Sequence, residues 1–229
     1  MDKELDDILK QAGTAPHPVD PALLNRIGAS IQPDLRPVRP VPPSWALTLG
    51  LTLVCTAVAL LGATRAGFYG FHKLSVLDRA LIFPLLGVFI CFTAASSVAE
   101  FIPGSRRTVP PLALLGMGAV ALLAVFAFVF RDYQTEHFLS QGIVCLTVGL
   151  FHAVPTAIVI WFLLRRGFAV NPVTAGAVAG TLAGLAGVTM LELHCPNFEF
   201  FHVMLWHTAV VLVSGAAGAW LGRFVPSRP

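Results

Sequence analysis

Cysteine and histidine are the residues of this chain best suited to chemistry, and the histidines concentrate in its second half. The four cysteines are Cys55, Cys91, Cys145 and Cys195, and no two of them form a C-x-x-C pair. Of the seven histidines, His137, His152, His194, His202 and His207 fall after residue 130. Thiolates and imidazoles bind soft or borderline metals, and two suitably placed thiols can instead close a disulfide. The missing C-x-x-C counts against a thiol–disulfide exchange enzyme. No Gly-rich phosphate loop, no helical H-E-x-x-H and no nucleophile beside its base is legible, so neither an enzyme nor a cofactor is expected.

What these side chains can do depends on where the chain places them, and composition says where that is. The 229 residues are 56% apolar and only 12% charged, against about half and a quarter in soluble domains. A net charge of +3, with Lys and Arg scattered, does not suggest direct contact with nucleic acid. Six apolar stretches are long enough to cross ~30 Å of hydrocarbon, near Trp45–Thr64, Ala80–Phe101, Val109–Phe130, Phe138–Leu164, Val170–Leu193 and His202–Leu221. They lack the alternation of barrel strands, so they are expected to be helices. The expectation is an all-α polytopic membrane protein with a tail over 1–44, six spans over 45–222 and a short C-terminal tail over 223–229. The first apolar run lies too deep to belong to a secretory signal peptide.

Lys and Arg set the orientation. With the N-terminus inside, Lys3, Lys10, Arg26, Arg36, Arg39, Arg106, Arg107, Arg165, Arg166, Arg223 and Arg228 are cytoplasmic. Only Arg65, Lys73, Arg79 and Arg131 face the other side. Both termini are therefore expected in the cytoplasm, with the bilayer itself as one partner.

That topology sorts the chemistry. Cys55 and Cys91 fall near the middle of spans, where a thiol behaves as a small apolar side chain. Cys145 lies just inside the outer end of the fourth span, and Cys195 lies in the loop His194-Cys195-Pro196-Asn197-Phe198-Glu199. Both are near the face where disulfides persist, and spacing leaves open a disulfide, a shared metal or two unpaired buried thiols. His152, about two turns below Cys145, and His194, His202 and His207 are auxiliary candidates. His202 and His207 stand five residues apart, which on a straight helix is poor for sharing one ligand. Interfacial anchoring by His202, Trp206 and His207 is thus the stronger reading, and whether any metal is held stays unknown. Glu100 and Glu192 sit toward span ends, where acids reach headgroups or water.

Two further patterns concern packing and partners. Gly176, Gly180 and Gly184 recur every four residues, as do Gly218 and Gly222, which suits close helix packing within one bundle. In the tail, Leu5, Ile8 and Leu9 form one apolar stripe. After Pro16-His17-Pro18, Asp20 can cap a second helix whose face carries Leu23, Leu24, Ile27 and Ile31. Neither stripe can bury itself, and the Pro-rich run from Pro33 to Pro43 reads as a stiff spacer. The tail is a candidate to fold onto a partner or to lie on the membrane surface.

Taken together, the chain resembles the six-span anti-sigma factors of the NrsF type, negative regulators of an extracytoplasmic-function sigma factor. The likeness rests on a short tail before six helices, Cys145 in the fourth span, Cys195 in the last outer loop, the aromatic run ending Leu205-Trp206-His207, and the small residues from Gly215 to Gly222. It implies that the tail holds a sigma factor at the inner membrane, away from RNA polymerase. It also implies that the two outer cysteines take part in sensing metal or oxidative stress. The alternatives are a membrane thiol–disulfide or metal-handling protein and a small transporter.

Overall fold

Apolar runs that must satisfy their own backbone close into helices, and all six do so in the computed structural model. It describes residues 10, 20–31, 42–102, 110–135, 138–166, 169 and 171–224. Leu5, Ile8, Leu9 and His137 lie outside these residues. Contacts divide the chain into Met1–Val41 and Pro42–Pro229.

In the first unit, α1 spans Pro21–Ile31. Its start is the one expected: the Ala22 N–H donates to Asp20 Oδ1 at 2.9 Å, with Pro21 at the first helical position. Leu23, Leu24 and Ile27 are 47%, 54% and 46% exposed, and the side chain of Ile31 lies outside the described residues.

The second unit contains α2 (Ser44–Ala66), α3 (Tyr69–Lys73), α4 (Val76–Phe101), α5 (Pro111–Val129), α6 (Phe138–Arg166), α7 (Pro172–His194) and α8 (Phe200–Gly222). Five of these, α2, α4, α6, α7 and α8, are long and apolar enough to cross a membrane. The apolar stretch of α5, Gly116–Val129, is shorter. Local chemistry fixes several starts. Ser75 and Asp78 cap α4 reciprocally, the Asp78 N–H donating to Ser75 Oγ and the Ser75 N–H to Asp78 Oδ2. Asn171 Oδ1 accepts from the Thr174 N–H ahead of Pro172 in α7. Pro84 and Pro155 lie within α4 and α6, which run through them. Among the described residues the only extended pairing is a single bridge between Asp132 and Glu199.

The central element is α7. A helix apolar on every side belongs inside a bundle, and nearly every residue of α7 from Ala175 to Leu193 is buried. Its glycines let α8 approach to backbone contact. A Cβ at Gly176 would meet the Gly218 carbonyl, one at Gly180 the Ser214 carbonyl, and one at Gly184 the Val211 backbone. The small-residue repeats thus pack within one chain. On the far side, Gly187 lies against the Gly149 carbonyl of α6. An apolar crevice of about 580 Å³ opens between α6, α7 and α8, lined by Val154, Trp161, Ala183 and Val213 among others.

At one end of the bundle the connections α2–α4, α5–α6 and α7–α8 converge. The Lys73 ammonium donates to the Pro196 carbonyl at 2.9 Å, and Phe130 stacks on Phe198 with centroids 5.3 Å apart. The Phe200 N–H donates to the Asp132 carbonyl. A Cβ on Gly70 of α3 would sit 2.6 Å from the Cys195 carbonyl oxygen, so this short helix also rests directly on the α7–α8 loop.

If backbone contact between α7 and α8 organises the bundle, one methyl group there should matter. Gly180→Ala should destabilise the purified protein by about 1–3 kcal/mol. Gly87→Ala, where the new Cβ meets nothing within 4 Å, should be neutral or gain up to ~1 kcal/mol from helix propensity. Thermal unfolding in detergent compares the two.

Candidate functional site

The site forms where three elements meet beneath the converged loops. From α6 comes Cys145, from the α7–α8 loop Cys195, and from the first turns of α8 His202 and His207. The two sulfurs are 3.4 Å apart and both thiols are free. Cys195 Sγ lies 3.6 Å from His202 Nε2. One donor atom from each of Cys145, Cys195, His202 and His207 falls within 4.8 Å of every other, a grouping able to hold a metal ion. Cys195, His202 and His207 are buried, and Cys145 is half-buried and gives the cluster its more open side.

The pairing of His202 with His207 departs from the straight-helix expectation. On an α-helix, residues five apart are separated by roughly 140° around the axis. Here Val203–His207 is a turn of π-helix, whose i→i+5 hydrogen bonds absorb one extra residue and bring such positions onto one face. The two rings then meet edge to face with centroids 5.5 Å apart. Both histidines are fully buried, so neither anchors the chain at the interface. Trp206, between them, turns the other way to pack on Phe138 and over Gly142 of α6.

Glu192 also departs from expectation. Rather than reaching headgroups, it is fully buried on α7, with Oε1 2.6 Å from His207 Nδ1. A carboxylate at that distance requires a hydrogen on Nδ1. Nε2 is left turned away from the carboxylate, and it has no hydrogen-bond partner among the described residues. His202 Nδ1 and Glu192 Oε2 also lack one. Buried polar atoms are nearly always satisfied, so three open atoms in one cluster mark a site rather than a core.

The remaining candidates lie elsewhere. His152 makes its Nδ1 contact with the Val148 carbonyl at 2.8 Å and presses its ring on Gly62 of α2. His194 donates from Nδ1 to the Gly67 carbonyl at 3.0 Å and lies beside Tyr69, so it ties down the α2–α4 connection. Cys55 is buried near the Leu182 carbonyl, and Cys91 is exposed on the bundle surface. Above the cluster, the Asn197 side-chain amide donates to Gln141 Oε1 at 2.7 Å, closing the loop over α6 one turn from Cys145. The Cys195 thiol is held above its ordinary range, first by the Cys145 sulfur and then by burial, against a downward pull from His202 and His207.

A family model described as "Negative regulator of sigma F" matches residues 32–226. The chain belongs to this family, NrsF. A curated relative, the anti-sigma-F factor NrsF of Caulobacter vibrioides, is 28% identical over 205 residues, covering 83% of this chain and 92% of that protein. No solved structure matches. The NrsF match takes in Cys145, Cys195, His202, His207 and Glu192, and begins just after α1.

The sulfur contact has a direct test. A mild oxidant should join Cys145 to Cys195 within one chain, with loss of two hydrogens, because closing 3.4 Å to a ~2.05 Å bond needs only a small shift. Peptide mass mapping should find this bridge in the wild type and none involving Cys55 or Cys91.

Proposed function

We propose that this protein is a membrane-bound, non-enzymatic anti-sigma factor. It sequesters an extracytoplasmic-function sigma factor through its N-terminal tail and releases it when thiophilic metal or oxidant acts on Cys145 and Cys195. The observation that carries the reading is membership of the NrsF family over residues 32–226. The relative's name adds the expectation that the partner is a sigma factor. The protein sits in the bacterial inner membrane with six spans, α5 being the third, and both termini cytoplasmic, as the distribution of Lys and Arg requires. It acts on transcription through its partner and makes no contact with DNA.

Two features support the tail as the capture element. Helix α1 is capped at its start, and its apolar face, Leu23, Leu24 and Ile27, is exposed. Burying each such side chain against a partner contributes about 1.5–3 kcal/mol before ordering costs. In the sequence the Pro-rich run precedes α2, and the far end of α2 meets the Cys195 loop through Gly67 and His194. A change at the cysteines thus has a covalent and packed route back to the tail. A ten- to hundredfold loss of affinity requires only ~1.4–2.8 kcal/mol of coupling.

Changing Leu24 and Ile27 together to Asp should abolish co-purification of the sigma factor and switch on its regulon without stress. Full repression by that variant would remove α1 as the docking face.

A separate outcome concerns the cysteines. Cys145→Ser and Cys195→Ser should each abolish induction by oxidants and thiophilic metals, the double variant should match the singles, and Cys55→Ser and Cys91→Ser should respond normally. A reporter of the regulon reads all five.

A further inference from the structure

We propose that Cys145, Cys195, His202 and His207 form a closed, four-ligand tetrahedral site for a divalent d10 cation of the Zn2+ class, with Glu192 as the positioning residue for His207. This deepens the reading of the cysteines as sensor by giving the sensor a resident ligand and a defined ligand set.

Three independent observations carry it. The first is spacing. Metal–sulfur bonds of ~2.3 Å and metal–nitrogen bonds of ~2.0 Å give a tetrahedron with ligand–ligand edges of roughly 3.3–3.8 Å. The sulfur–sulfur separation is 3.4 Å and the Cys195–His202 separation 3.6 Å, with all four donors inside 4.8 Å. Small rotations of four side chains complete the figure. The second is the π turn. It is a local departure from regular helix whose effect is to bring two imidazoles onto one face, and such turns are concentrated at functional sites.

The third is the partner set of His207. Metal-bound histidines characteristically donate their other ring nitrogen to a carboxylate, which fixes the tautomer and raises ligand basicity. Glu192 makes that bond to Nδ1, while Nε2 is buried and unpartnered. A core histidine serving only as packing would not leave a buried, unpartnered ring nitrogen beside two thiols.

Charge and softness choose the cation. Two thiolates neutralise a divalent ion in a buried place, whereas hard Mg2+ or Ca2+ prefer six or more oxygens. Four protein ligands and no open position describe a structural rather than a catalytic centre. Bound there, the ion would clamp α6, the α7–α8 loop and the π turn to one point. It would also occupy both sulfurs that thiophilic metals and oxidants attack.

The test uses the full-length protein purified in detergent, stripped of metal, and titrated with Zn2+ or with Co2+ as a spectroscopic substitute. One equivalent should bind. The Co2+ form should show the intense visible bands of tetrahedral cobalt and a thiolate charge-transfer band. Cys195→Ser and His207→Ala should lose both signals. Glu192→Gln, which keeps the fold's shape, should bind ten- to a hundredfold more weakly with the same spectrum, and Cys91→Ser should match the wild type. A wild type that binds neither ion at micromolar concentration overturns the site, as does a six-coordinate cobalt spectrum. Undiminished binding in Cys195→Ser would overturn it too. Retained sigma-factor capture by a protein that binds no metal sinks only this inference. Metal binding without capture sinks the anti-sigma reading instead.

Discussion

Backbone contact between α7 and α8 is the constraint on which the rest of the second unit depends. In lipid, apolar surface alone does not drive helices together, because the hydrocarbon around them is just as apolar. Gly176, Gly180 and Gly184 remove the side chains that would separate α7 from Ser214, Gly218 and the Val211 backbone. The dispersion and weak polar contacts that result are what hold the pair. Closeness has a second effect at the end where the connections converge. It brings Glu192 of α7 to 2.6 Å from His207 of α8. A carboxylate buried at that depth is tolerable only beside such a partner.

The same approach explains why polar chemistry can exist inside so apolar a chain. α6 joins through Gly149 and Gly187, and its Cys145 lies against Cys195 of the α7–α8 loop. The three converging connections then cover the site with Phe130, Phe198, Lys73 and the Asn197–Gln141 pair. Strong electrostatic interactions follow from this exclusion of water, since neither bulk solvent nor salt screens them.

Much of this was legible in the sequence, and the limits have physical causes. Apolar length located the long helices to within a few residues, because in a membrane the backbone has few alternatives. The glycine repeat announced its own packing. Cys145 and Cys195 stood out through topology, and the structure places their sulfurs in contact. His202 and His207 were misjudged because periodicity arguments assume a regular helix, and nothing local in Val203-Met204-Leu205-Trp206 announces a π turn. Their i, i+5 spacing was the available signal, had a π turn been considered. Glu192 was readable in principle: an acid in a helix otherwise apolar all round demands a partner. Its partner lies fifteen residues on, at a distance in sequence that no periodic pattern reaches.

The π turn also sets the phase of everything after it. Helix α8 serves two clients, the site through His202 and His207 and the glycine face of α7 through Ser214 and Gly218. One surplus residue between them works like a vernier, offsetting the two parts of the rod so that both stay aligned. Were the turn to relax to regular α-helix by losing that residue, one part would have to rotate by about 100° against the other. The lower part is blocked from turning by backbone contact, so the whole displacement would fall on His202 and the loop bearing Cys195. Within a single helix, the glycine face thus fixes the phase of the packing end, and the π turn carries the adjustment that the cluster end needs.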